Sequence, residues 1–196
     1  MRLTNKNSIA GFALSLGLGL MSFTQNSWAW TEPCQLVRQM ADSRIYQLQT
    51  DRVAVMQPEE KLDPEWRLQL VERHGAWYIY QTPTLAPWFA KDSCAPVERI
   101  FKERHIEFMP VLLNRQTGHN AVVTGAFVLK TYRAADIDKV IERYGFKLLT
   151  SLPRSNAVIV DVKPTASYDA LIETLDRDKD VDLVAPLFSE PRYKLR

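Results

Sequence analysis

The sequence predicts an α+β fold in two parts, and three observations predict it. A strand–helix–strand pattern occurs twice between Gly125 and Ser189, the only two cysteines both lie upstream of it, and an apolar N-terminal stretch ends in a small-x-small motif. In the first copy a strand-like run, Ala126-Phe127-Val128-Leu129-Lys130, leads to a segment carrying Ile137, Val140, Ile141 and Tyr144 and returns in Phe146-Lys147-Leu148-Leu149. The spacing i, i+3, i+4, i+7 puts those four side chains on one face of a helix. The second copy runs from Ala157-Val158-Ile159-Val160-Asp161-Val162 through Tyr168, Leu171, Ile172 and Leu175 to Val181-Asp182-Leu183-Val184-Ala185, with the same spacing.

The order β, α, β, β, α, β is the split-βαβ, ferredoxin-like arrangement, with both helices on one face of a four-stranded antiparallel sheet. The punctuation agrees with it. Gly145 follows the first helix where a left-handed residue is wanted, Thr165 or Ser167 can cap the second, and Leu152 to Asn156 supplies a turn between the inner strands. Residues 190–196 are left as a tail, with its basic end in Arg192, Lys194 and Arg196.

Residues 1–29 read as an export signal: Arg2 and Lys6 open it, Ile9 to Phe23 is apolar, and Ser27-Trp28-Ala29 is the cleavage motif. The apolar stretch is short and rich in Gly and Ser for a membrane span. Cleavage after Ala29 predicts a soluble periplasmic or secreted chain with no membrane contact. Removing Arg2 and Lys6 from the 25 basic residues leaves as many as the 23 acidic ones, so nothing points to a nucleic-acid partner. In an oxidising compartment Cys34 and Cys94 form a disulfide, and closing a loop of roughly sixty residues stabilises the fold by about 4 kcal/mol.

Residues 30–124 read as a small disulfide-tied α+β domain with a soft boundary near Thr124. A short helix is expected over Thr31 to Ser43, a strand over Arg52 to Met56, and a hairpin of Trp66 to Leu70 with Ala76 to Tyr80 across His74-Gly75. A second short helix is expected to open at Pro96 and bury Val97, Ile100 and Phe101, so that the bridge ties two helices within this half. Ile106 to Leu113 and Ala121 to Val123 read as strands. The aromatic residues Trp66, Trp77, Tyr78, Tyr80, Trp88 and Phe89 read as core.

The chain offers little for chemistry. His74, His105 and His119 are scattered without metal-ligand spacing, and there is no Gly-rich phosphate loop, GxSxG elbow or CxxC. The expectation is a protein without catalytic residues, metal or cofactor. What remains is a surface. Both sides of the strand Ala157 to Val162 are apolar, whereas a sheet with helices on one face should be mostly polar on the other if that face meets water. Either the N-terminal half covers it or another protein docks there.

The segments Thr124 to Lys130, Tyr144-Gly145-Phe146, Ala157 to Val160 and Asp180 to Pro186 together resemble the propeptide domain of subtilisin-like serine proteases. The resemblance covers about seventy residues and lies in apolar positions and turns. It implies a propeptide-type domain that lays its sheet on two protease helices, templates folding of the protease and inhibits it with a tail in the active-site cleft. The partner implied is a subtilisin-like serine protease in a heterodimer. Matched strand to strand, Val158, Val160, Val162, Leu187 and Phe188 would dock, and Glu190, Pro191, Arg192, Tyr193, Lys194, Leu195 and Arg196 would occupy the cleft. Fully extended, those seven residues span about 23 Å. Lys194 and Arg196 suit the acidic subsites of kexin-like enzymes. Acidic residues that such propeptides place just after the last strand are Ala185 and Leu187 here, with Glu190 the nearest substitute. A stand-alone protease inhibitor and a non-catalytic ligand-binding or structural domain are the alternative readings.

Overall fold

In the computed structural model, residues 34–42, 44–83, 94–162 and 167–191 are described. The expected export signal, Trp88, Phe89 and the tail beyond Pro191 lie outside them. The described residues belong to one compact unit. It is a mixed α+β structure, mostly antiparallel sheet, with helices α1 (Gln35–Ala41), α2 (Ile137–Tyr144) and α3 (Tyr168–Asp176). The strands are β1 (Tyr46–Val55), β2 (Gln69–His74), β3 (Trp77–Gln81), β4 (Val97–Phe101), β5 (Arg104–Asn114), β6 (Asn120–Thr131), β7 (Lys147–Ser151), β8 (Ala157–Asp161) and β9 (Val181–Ser189).

The sheet order is β2-β3-β1-β5-β6-β8-β7, with β4 beside β5 and β9 beside β6. β6 is the longest strand and belongs to both halves. Along one edge its start pairs with β5 (Val122 opposite Val111) and its end with β8 (Phe127 opposite Val160), while β9 pairs along the other edge. The boundary expected near Thr124 therefore falls inside one strand.

Local chemistry accounts for the helices. Ser167 Oγ accepts the Asp169 N–H at the start of α3, which picks Ser167 as the cap. Gly145, at φ 66°, ends α2, and the Phe146 N–H returns to the Ile141 carbonyl in the closing pattern of a left-handed C-terminus. Both helices cover one side of the sheet, where Val140, Tyr168, Ile172 and Leu175 pack on Phe127, Leu129, Val158 and Val160. A second cluster of Val53, Val55, Leu62, Leu68, Tyr80, Ile106 and Phe108, with Trp66 and Tyr78 against it, fills the N-terminal half. Trp77 belongs to a third small cluster with Ile79, Met109 and Val122.

Two expectations are corrected. No helix opens at Pro96: Val97 to Phe101 is the strand β4, in register with β5 from Val97 opposite Phe108 to Phe101 opposite Arg104. Lys102 and Glu103, at φ 48° and 63°, make the tight reversal whose twist suits a two-residue hairpin, and Ile100, expected to be buried, is 66% exposed. The Cys34–Cys94 disulfide is formed, but it does not belong to the N-terminal half alone. Both cysteines are buried in the cluster that lies under α3. The Cys94 carbonyl accepts the Tyr168 N–H at 2.7 Å. The Asp169 carboxylate accepts the Gln35 and Val37 N–H groups at 3.1 Å each, capping α1 from another helix. Burial pushes the Asp169 carboxyl above its ordinary pKa, against the pull of those N–H groups.

Gly125 marks the place where β6 changes partners. Its φ is +76°, its carbonyl accepts the Val162 N–H, and a Cβ there would stand 2.9 Å from the Tyr168 hydroxyl and 3.4 Å from the Met109 methyl. Through the gap so left, Tyr168 reaches from the helix side to the Met109 sulfur, 3.9 Å away. Gly125→Ala combines a left-handed non-glycine residue, about 1–2 kcal/mol, with overpacking of about 1–3 kcal/mol. The expected loss in denaturant unfolding is about 2–5 kcal/mol. Adding Tyr168→Phe, which removes the obstructing hydroxyl, recovers at least about 0.5 kcal/mol of it. Strict additivity of the two changes would show that the glycine is not needed for this approach.

Charge pairs set the response to acid. Burial raises the pKa of Asp178, but the Asp180 N–H, Arg143 at 2.5 Å and the Tyr144 hydroxyl at 2.8 Å outweigh it and hold the carboxyl below its ordinary range. Arg133, and then Lys139, do the same for Asp136. A lowered folded-state pKa gives stability that is present above the unfolded value and is lost as pH falls through the folded one. Asp169, shifted upward, has the opposite sign. The chain should lose melting temperature between pH 5 and pH 3, and Asp178→Asn should lose less over the same range. Parallel acid profiles for the two proteins would remove the Asp178 network from the account.

Candidate functional site

Residues paired across strands point to the same face, so the register separates the two sides of the C-terminal sheet. Phe127 opposite Val160 and Pro186, and Leu129 opposite Val158 and Val184, lie on the helix side. Ala126 opposite Asp161, Val128 opposite Ile159 and Ala185, and Lys130 opposite Ala157 and Leu183 lie on the other. No described helix covers that second face, and Leu149 and Leu183 are about half exposed at 49% and 48%. Among the described residues the face is mostly apolar and partly exposed.

Toward β5 it deepens into a groove of about 530 Å3. Buried Trp77 and Met109 lie at its base beside Ala126, exposed Met56 and Leu149 stand at its rim, and Glu107 and Asp161 bring negative charge. His105 also lines it, with Nδ1 2.6 Å from Glu98 Oε1. An apolar floor with acidic edges fits an apolar side chain flanked by positive charge or by the N-terminus of a helix.

The expected docking strand is corrected by the same register. Val158, Val160 and Val162 are 2% exposed or less and lie in the core beneath α2 and α3, so they present no surface. The alternation of a strand explains it: the helices took Val158, Val160 and Val162, leaving half-buried Ile159 and buried Ala157 on the opposite face. Leu187 is half-buried, and Phe188 packs against the core with its ring 5.3 Å from that of Tyr46. The sequence did not single out Met56, Trp77, Met109 and Leu149 as a group, because only cross-strand register joins them.

At the end of β9 a polar cluster surrounds the start of the tail. The Tyr46 hydroxyl donates to one oxygen of Glu190, and Asn114 Nδ2 donates to the other at 3.2 Å. His74 Nε2 lies 3.0 Å from the Ser189 carbonyl, against which it can only donate. Behind it the Glu72 carboxylate accepts from the Asn120 backbone and side-chain N–H groups, with His74 Nδ1 3.5 Å and His119 Nδ1 3.4 Å from its other oxygen. Arg52 completes the set by donating to Asn120 at 2.6 Å. These contacts bring β2, an outer strand, against the ends of β6 and β9, so the sheet curls until its margins meet. Of the expected cleft-binding residues, Glu190 thus has its carboxylate engaged within the chain and Pro191 is half-buried. Arg192, Tyr193, Lys194, Leu195 and Arg196 lie outside the described residues.

Among the described residues no group of three His, Cys, Asp or Glu side chains has the geometry to hold a metal ion, and no helix is long and apolar enough to cross a membrane. No protein-family model matches the chain, and no curated protein matches it. Among solved structures the chain is similar to one chain of the crystallised complex of the Aeromonas sobria serine protease ASP and the chaperone ORF2. That similarity has 14% identity and a TM-score of 0.37, over 50% of this chain and 99% of the other.

The two faces should answer differently to charge. Leu149→Asp on the open face is expected to change unfolding free energy by no more than about 0.5 kcal/mol. Val160→Asp beneath the helices buries an unpaired carboxylate and is expected to remove about 4 kcal/mol or more. Comparable losses at both positions would place Leu149 in a core.

Proposed function

We propose that this chain is an extracytoplasmic chaperone and inhibitor of a subtilisin-like serine protease, acting by docking and not by catalysis. The observation that carries the reading is the open apolar face of β6, β7, β8 and β9. An apolar sheet face of this kind marks an interaction site in a water-soluble protein. The strand order β9-β6-β8-β7, with α2 and α3 on one side, supports a split-βαβ, ferredoxin-like unit, and the resemblance of Thr124 to Lys130 and Ala157 to Val160 to subtilase propeptides gives the partner class.

In this reading Val128, Leu149, Ile159 and Leu183 meet two helices of the protease. Glu107 and Asp161 supply negative charge near the positive N-terminal ends of those helices, in place of the acidic residues lacking at Ala185 and Leu187. The sheet holds the two helices together before the rest of the protease has ordered. The tail then lies along the cleft as an added strand, with backbone hydrogen bonds for affinity and Lys194 and Arg196 for selectivity. The expected signal at residues 1–29 and the oxidised Cys34–Cys94 pair support a location in the periplasm or outside the cell.

The test is refolding of a denatured subtilisin-family protease without its own propeptide, with and without this chain. At least a tenfold higher yield of active enzyme is expected with it. Ile159→Asp on the open face should remove most of that gain, and deletion of residues 192–196 should relieve inhibition while keeping most of the gain. Equal yields with and without the chain would overturn the reading.

A further inference from the structure

We propose that the N-terminal half sets the direction in which the C-terminal tail leaves the sheet, with Tyr46, Asn114 and His74 as positioning residues; this rests on the docking reading above. The chain after β9 could swing freely from an edge strand, and a swinging tail would lose conformational entropy each time it entered a cleft. Here its first residues are held on two sides. Glu190 is gripped at both carboxylate oxygens, by the hydroxyl of Tyr46 from β1 and the amide of Asn114 from β5, and a charge-assisted pair of hydrogen bonds fixes orientation as well as position. The preceding Ser189 carbonyl is taken by His74 from β2. The Tyr46 ring also packs on Phe188, so three consecutive residues, Phe188, Ser189 and Glu190, each contact the N-terminal half.

The supports of these groups are themselves fixed. Asn114 Oδ1 accepts the Gln116 and Thr117 N–H groups of the β5–β6 turn, which directs its Nδ2 toward Glu190. His74 is 8% exposed and backed by Glu72, whose carboxylate is held by Asn120. A solvent-facing loop would need neither arrangement. The geometry reassigns Glu190 from a cleft ligand to the anchor of the tail, and gives the N-terminal half a task beyond covering hydrophobic surface. Pre-orientation of this kind raises affinity by lowering the entropy lost on binding, with no new contact to the partner.

Glu190→Ala removes both hydrogen bonds of the anchor and Tyr46→Phe removes one of them, and both leave the Asn114 turn and the Tyr46–Phe188 ring contact in place. In the free full-length chain, hydrogen exchange at the Ser189 and Glu190 amides should be at least about tenfold faster in either variant, with the melting temperature unchanged. The double variant should be no worse than Glu190→Ala alone, because that change already deletes the Tyr46 interaction. Against a purified subtilisin-family protease that cleaves after basic residues, the inhibition constant should rise about tenfold for both variants, and Glu190→Gln, which keeps an acceptor for the Tyr46 hydroxyl, should restore part of it. Unchanged exchange at Ser189 and Glu190 overturns the anchor whatever the protease result. Fast exchange in the variants with undiminished inhibition shows that the anchor does not position the tail. A wild-type chain that fails to inhibit removes the docking reading instead, and the exchange result still decides the anchor.

Discussion

The approach of Tyr168 to Gly125 is the contact on which the rest of the arrangement depends. β6 must serve β5 at its start and β8 at its end along a single edge, and the backbone between those registers needs a conformation that L side chains rarely adopt. A glycine supplies it and leaves the space that the Tyr168 ring end occupies. Tyr168 in turn opens α3, donates its N–H to the Cys94 carbonyl and stacks obliquely on Phe127, with ring centroids 5.4 Å apart. One aromatic side chain therefore joins the disulfide, the first turn of α3 and the bend of the central strand. Its hydroxyl, buried and pushed far above its ordinary pKa mainly by desolvation, stays neutral at any physiological pH.

From that joint follows the division of labour between the two faces. The disulfide and α1 are drawn to the α3 side, where Asp169 caps α1 across the boundary between the halves. With α1, α2 and α3 all on that side, no described helix lies on the opposite face of β6, β7, β8 and β9, and described residues of the N-terminal half meet it at the groove. Had the N-terminal half lain across the sheet, the same apolar residues would have been ordinary core. Its place beside the sheet, in continuation of β6, is what leaves Leu149, Ile159 and Leu183 outside that core.

How much of this was legible in the sequence depends on the range of the interaction that decides it. The C-terminal elements were readable because their signals are local: Ile137, Val140, Ile141 and Tyr144 repeat with helical period, Gly145 ends the helix, and the apolar runs at Ala126 and Ala157 are strands. Val97 to Phe101 misled because Pro96 is an acceptable helix start, while the evidence for a strand lies in its pairing with Arg104 to Phe108 and in positive φ values at Lys102 and Glu103, neither of which has a glycine or asparagine to announce it. The two faces of Ala157 to Val162 were correctly separated by alternation, but which of them the helices would cover is a tertiary choice between two apolar sets. The groove was invisible for the same reason, since Met56, Trp77, Met109 and Leu149 come from four strands or their ends.

The polar cluster at the end of β9 shows how such a long-range feature is built. Its members, Tyr46, Glu72, His74, Asn114, Asn120 and Glu190, are separated by up to 144 positions along the chain, and none belongs to a recognisable motif. Taken singly, each is an ordinary polar residue of a strand or turn. Their meeting requires the sheet to curl until β2 touches the ends of β6 and β9, and curling of that degree is the expected result of strand twist accumulated from β2 through β3, β1 and β5 to β6. An apolar closure at the same place would have held the margins together equally well. Hydrogen bonds add direction to the closure, because an Oε2–Nδ2 pair and a carbonyl–imidazole pair fix the path of the backbone where an apolar contact would let it slide. The last residues of β9 thereby gain hydrogen-bond partners beyond β6 although β9 lies at an edge.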